Sequence, residues 1–175
     1  LFKVLSKEDR EQGLYIIVPF PLELLVAAMK VAHQFRRQIM PFSVILDNAL
    51  LDHLFGKATF TTPTHIWVAL SSVDPTIDGS AIVEPTTGGY ARVETSPANW
   101  NAATAKVTTN AAAIDFSVTA SPGYGDPIGW FALYDDATST DAAHFLGYGE
   151  IPVPITIITN FTPRFEIGTL SITRT

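Results

Sequence analysis

The groups able to carry acid–base or metal chemistry in this sequence are thinly spread. His33, His53, His65 and His144 form no H-x-H or H-E-x-x-H spacing, so no local motif supports a metal site, and only a cluster assembled from distant residues would give one. Asp52 and His53 adjoin, but consecutive residues of a helix do not face each other, and the pair reads as part of a solvated polar face. The stretches "DPTIDGS" and "YDDATSTD" offer Asp74, Asp78, Asp135, Asp136 and Asp141, oxygen donors of the kind calcium takes. Neither has the EF-hand spacing, and Asp favours turns because its side chain bonds nearby backbone amides, so both read as structural turns. No G-x-S-x-G nucleophile turn, G-x-x-x-x-G-K-[ST] phosphate loop or helix-opening G-x-G-x-x-G occurs. The lack of cysteine removes thiolate metal sites, thiol catalysis and disulfides together. "NFT" at residues 160–162 fits the glycosylation sequon, which matters only in a chain secreted from a eukaryote. The expectation is a non-enzyme with no catalytic residue, no metal and no cofactor.

Aromatic rings are the other resource. Tyr90, Trp100, Tyr124, Trp130, Tyr134 and Tyr148 suffice for a sugar-binding platform or a protein interface, although a two-layer β domain would bury most of them. Tyr124, in the loop "SPGYGDP", is the ring expected to be exposed, followed by Trp100 in "ANWNAAT". These two are the candidate ligand or interface residues.

Charge narrows the partners. The formal net charge of −6 comes without any cluster of Lys and Arg that could displace counterions from a phosphate backbone, so no nucleic acid is expected. Residues 1–39 hold six Lys or Arg and four acids, whereas the rest holds five and 13. The apolar run "LYIIVPFPLELLVAAMKVAH" has the length of a membrane span, about 20 residues, but Pro19, Pro21, Glu23 and Lys30 interrupt it. A secretory leader would be basic where "KVLSKEDREQ" is mixed in sign, so no membrane partner is expected. Residues 1–39 read as an N-terminal extension, either a helical arm over 21–37 or, the favoured reading, sequence ahead of a start at Met40.

The elements that must position any site follow Met40. In "SVILDNALLDHLFG", Ile45, Leu46, Ala49, Leu50 and Leu54 recur at the three-and-four spacing of an amphipathic helix, with Ser43 as cap, Asp47 in the first turn and Gly56 as stop. Residues 40–57 are thus an N-terminal helix, and its face at Ile45, Leu46, Leu50 and Leu54 is the candidate oligomer contact. From residue 58 the period changes to two. "HIWVAL" reads as a strand buried on both sides, and "AIDFSV" places Ile114, Phe116 and Val118 inward. "YARVET", "AKVTT", "IGWFALY", "HFLGYGEI", "ITIIT", "RFEI" and "LSIT" complete eight or nine short strands, punctuated by turn signals that include "IPVP". Residues 58–175 are expected to form an antiparallel β-sandwich or jelly-roll-like domain, and the chain as a whole to be mainly β.

The blocks "LDNALLDHLFG", "WVALSSVDPTIDGSAIVEPTTGGYARVE", "ANWNAAT", "IGWFALYDDAT" and "FLGYGE", in this order and spacing, resemble small phage virion structural proteins of the type labelled phage tail fiber protein, over about residues 40–151. Members of that group begin where Met40 stands. The resemblance implies a non-enzymatic virion component, part of a tail fiber or tail-associated module in contact with the host surface, with no catalytic residue to carry over. Its partners would be other virion proteins and further copies of itself, a trimer being common for fibers, with a host surface glycan as a candidate ligand. A capsid decoration or cement protein and a carbohydrate-binding β-sandwich module are the alternatives.

Overall fold

The structure, a computed structural model, describes residues 42–173. The extension expected over residues 1–39 and the start at Met40 lie outside them. The description opens with helix α1, Val44–Leu54. Ser43 is extended and its Oγ accepts from the Leu46 N–H at 3.0 Å, satisfying one of the amides that a helix start leaves without a partner. The same hydroxyl donates to the Phe145 carbonyl at 2.6 Å, and the Ser43 N–H donates to the Leu146 carbonyl at 3.0 Å. A fully buried Ser43 thus both caps the helix and fastens it to the sheet. The chain leaves through Phe55 to Gly56, at φ +67°.

Strands β1 (Ile66–Ser71), β2 (Val93–Thr95), β5 (Ile128–Tyr134) and β6 (Phe145–Ile155) form an antiparallel sheet in the order β2-β1-β5-β6. Two smaller antiparallel pairs complete the architecture: β3 (Val107–Thr109) with β8 (Ser171–Thr173), and β4 (Ile114–Asp115) with β7 (Arg164–Phe165). Val68 and Leu70 from β1 and Phe131 and Leu133 from β5 share one face of the large sheet, because alternate residues of a strand point the same way. They meet Ile114, Phe116, Ile157, Leu170 and Ile172, so the small pairs supply the second layer of a sandwich.

That second layer is held together by Asn110, which has no solvent exposure. Its Nδ2 donates to the carbonyls of Ala112 and Glu166, its Oδ1 accepts from the Leu170 N–H, and its backbone pairs with Leu170 and Gly168. One side chain therefore closes the gap between β3-β8 and β4-β7.

The opposite face of the large sheet is also covered, as expected for β1. Ala69 and Ala132 sit opposite each other in register and leave room for Tyr134 and Phe145, whose rings meet edge to face at 5.3 Å. Ile82, from the long connection between β1 and β2, packs over them.

Three expectations are corrected. "IPVP" is not a turn but the end of β6, where Ile155 pairs with Ile128. Proline is tolerated there because β6 is an outer strand with no further ladder to serve. "ITIIT" is not a separate strand, since β6 absorbs Ile155 and the chain then turns through Asn160 at φ +60°. Val118 is 62% exposed rather than inward, because the alternation breaks after Phe116 and Thr119 takes the buried place, donating its N–H and its hydroxyl to the Phe161 carbonyl.

Two substitutions test this packing. Gly149 lies opposite Phe131 in register, and a Cβ there would stand 2.5 Å from that ring. Gly149→Val is expected to cost about 1–3 kcal/mol by overpacking, read from urea unfolding. Asn110→Ala leaves one buried donor and two acceptors without their partner, and should lower stability by about 3 kcal/mol in the same measurement.

Candidate functional site

Among the described residues no catalytic constellation assembles. Among the described residues no three His, Asp or Glu side chains converge to hold a metal ion. His65 pairs with Glu94 at 2.5 Å and His144 with Asp135 at 2.7 Å, both at the surface, while His53 Nδ1 accepts from the Phe60 N–H. The acidic turns close on themselves. Asp78 accepts from the Thr76 hydroxyl at 2.7 Å and from the N–H and hydroxyl of Ser80, and these bonds, Thr76 first, bring its carboxyl down to about 2. Asp136 accepts from the N–H groups of Thr138 and Ser139, which likewise lower its pKa.

The buried polar chemistry gathers elsewhere, around Arg92. Its Nη2 lies 2.6 Å from Glu84 Oε1, its Nε is shared between both Glu84 oxygens, and its Nη1 donates to the carbonyls of Asp136 and Ser139 at 3.0 and 2.9 Å. Its Cζ stands 3.7 Å from the centre of the Tyr134 ring, a cation–π contact. Glu84 also accepts from the Tyr90 hydroxyl at 2.7 Å, which in turn accepts from the Leu70 N–H at 2.9 Å. Burial opposes the charge on Arg92, but the bonds and charge of Glu84 outweigh it and leave the guanidinium above its ordinary value. Burial raises Tyr90, with the Glu84 charge adding to it, and burial pushes Tyr134 up to about 12. The block "GGYARVE" holds the two residues that matter, Tyr90 and Arg92, but nothing in its pattern points to a partner eight residues earlier. The available signal is scarcity, for Arg92 is one of only five Lys and Arg after Met40.

The sequence-derived binding residues fall in three places. Ile45, Leu46, Leu50 and Leu54 lie on α1, where no residue is buried, and Leu54 is 75% exposed. Trp100 is half-buried, its Nε1 fixed on the Thr95 hydroxyl at 3.0 Å. It lines a mainly apolar groove of about 510 Å³ together with Pro63, Ile66, Pro97 and Ile172. Tyr124 is not the exposed ring expected from its loop. It is 4% exposed and belongs to the core, because the loop folds inward, with the Tyr124 N–H on the Ile157 carbonyl and its ring edge-on to Tyr90 at 5.4 Å. The structure does not bring Tyr124, Trp100 and α1 into one site.

A family model described as podophage GP4 fiber I protein gp80 matches residues 41–173. The chain belongs to that family of phage fiber proteins. The match runs past the region 40–151 that carried the resemblance and reaches the last described strand, β8. The chain is therefore a virion component with a structural role in a phage tail fiber, in association with other virion proteins. No curated protein matches it.

The Arg92 cluster generates two predictions for this fiber protein. Arg92→Ala leaves the part-buried Glu84 without its cation and should destabilise the fold by about 1.5–3 kcal/mol in denaturant titration. Tyr134 keeps its proton to about 12 in the folded chain, while an unfolded tyrosine ionises near 10. Above that lower value the folded state binds more protons than the unfolded one, so stability is full below pH 10 and falls as pH rises toward 12. Melting temperature and phenolate absorbance followed together across that window check the sign.

Proposed function

We propose that the chain is a non-enzymatic module of a phage tail fiber that associates with further copies of itself through α1 and also contacts the host surface. One observation carries the assembly reading. A capped helix fastened to the sheet at Ser43 presents apolar side chains to water along its length, with Leu51 47% and Phe55 71% exposed beside Ile45 and Leu54. Leu46, Leu50 and Leu54 recur every fourth residue and so line one side of the helix. Apolar surface concentrated in this way is the mark of a contact face, and burying it would stabilise an assembly by roughly 25 cal/mol per Å² covered. The Trp100 groove and the pocket beside Tyr124 give the host-contact reading its support, since both are concave and open to solvent.

Light scattering on the full chain and on Leu50→Asp and Leu54→Asp tests the assembly. The wild type should be a homo-oligomer and both variants monomers, with the near-ultraviolet circular dichroism of Leu54→Asp unchanged because that side chain is exposed. A monomeric wild type, or variants that keep its mass, would overturn the reading. Antibody labelling on particle heads instead of tails would favour capsid decoration.

A further inference from the structure

We propose that copies of this chain join head to tail, α1 of one molecule seating on a charge-free apolar surface that Val118, Ile158 and Phe161 of the next present. This deepens the assembly part of the function proposed above and rests on it. Val118 is 62%, Ile158 63% and Phe161 44% exposed. They belong to two segments that run side by side. The Phe116 N–H donates to the Pro163 carbonyl at 2.9 Å, the Thr119 N–H and hydroxyl donate to the Phe161 carbonyl, each at 2.9 Å, and the Asn160 N–H donates to the Thr119 carbonyl at 2.8 Å. Ile158 is held close to the same loop, since a Cβ on Gly123 would stand 3.3 Å from its Cα. The surface is fixed before anything meets it, so covering it costs little ordering.

Charge selects the occupant. After Met40 the chain holds five Lys or Arg against 13 Asp or Glu, so two copies repel wherever their acidic surfaces meet. Residues 116–125 and 151–163, which build this surface, contain no charged side chain at all. Exclusion of charge marks the centre of a protein contact. The helix that needs cover has the opposite character. Leu51, Leu54 and Phe55 are exposed at its end, and Asp47 and Asp52 stand three or four residues from them, which puts carboxylates on the same side. Two such helices laid against each other would crowd four carboxylates. On the surface at Val118, Ile158 and Phe161 the same apolar side chains meet apolar partners instead, and Asp115, three residues before Val118, is engaged by Arg164.

Position sets the mode of joining. Ser43, at the start of α1, is bonded to Phe145 and Leu146, where β6 begins, and Ile158 follows three residues after Ile155, where β6 ends. The strand is 11 residues long, which at about 3.3 Å per residue places its two ends on the order of 30 Å apart. A face at one end that suits a different face at the other makes a heterologous contact, repeated from copy to copy until a ring closes or a filament grows.

Mixing variants of the full chain in sedimentation velocity provides the test. Leu54→Asp alters the helix alone and Ile158→Asp the receiving surface alone, with Val118→Asp as a second variant of that surface. Each by itself should be a monomer, and near-ultraviolet circular dichroism like that of the wild type confirms that it keeps the fold. An equimolar mixture of Leu54→Asp and Ile158→Asp retains one intact junction, α1 of the second variant on the surface of the first, and should form a dimer and nothing larger. A mixture that stays monomeric overturns the inference. So do Ile158→Asp and Val118→Asp at the wild-type mass while Leu54→Asp is monomeric, a result that keeps assembly through α1 and removes only its seat. A monomeric wild type, or Leu54→Asp at the wild-type mass, overturns the assembly reading and this inference with it.

Discussion

Everything on one side of the large sheet depends on the buried pairing of Arg92 with Glu84. Among the described residues, the face that carries Ala69, Ala132, Tyr134 and Phe145 is covered by irregular chain and not by a second sheet, with Ile82 from the long connection between β1 and β2 packed against it. Irregular backbone can cover an apolar face only if its own polar groups find partners. Arg92 supplies them, taking two carbonyls of the turn after β5 while Glu84, from the middle of the connection, holds the guanidinium in place. Its flat face lies on Tyr134, so the same side chain is both a hydrogen-bond hub and a lid on the core. Tyr90 extends the chain of contacts to the Leu70 amide on β1 and to the Tyr124 ring.

The other side joins its two pairs through a neutral side chain. Its second layer consists of two short pairs, each too small to stand alone, and the strands that pair are distant in sequence: β3 with β8, β4 with β7. Asn110 carries a donor and an acceptor on one amide, and so can replace the ladder bonds missing where the two pairs meet. A residue of the wrong shape or polarity there would leave the layer in two pieces. The two faces thus rest on single polar side chains set inside otherwise apolar layers.

Local signals account for what could be read from the sequence. The cap at Ser43, the alternation in "HIWVAL" and the apolar run of "IGWFALY" each announce their element because helix caps and strand periodicity are short-range physics. Most strands and the helix were legible for this reason, as was the mainly β class. Tyr124 shows the limit. Its neighbours are Gly, Pro and Asp, which mark a loop, but only the distant carbonyl of Ile157 and the ring of Tyr90 show that this loop turns inward. Glu84 and Asn110 escaped notice likewise, since an isolated polar residue in a turn-rich stretch looks the same whether it is solvated or central. The helix was legible as apolar on one face, and the exposure of Leu51, Leu54 and Phe55 was not.

The outer strand of the large sheet has a further consequence. An edge with open amides is a template on which any extended segment of a neighbouring chain can add itself as another strand. In β6 the first half of that edge is occupied by the backbone of residues 42–43, through the Phe42 bridge to Gly147 and the Ser43 bond to Leu146. In the second half Pro152 and Pro154 have no N–H to offer. Neighbouring molecules are thereby denied a backbone zipper along most of this rim, and whatever meets the sheet there must be recognised by side-chain shape, which can stop at a defined number where strand addition would not.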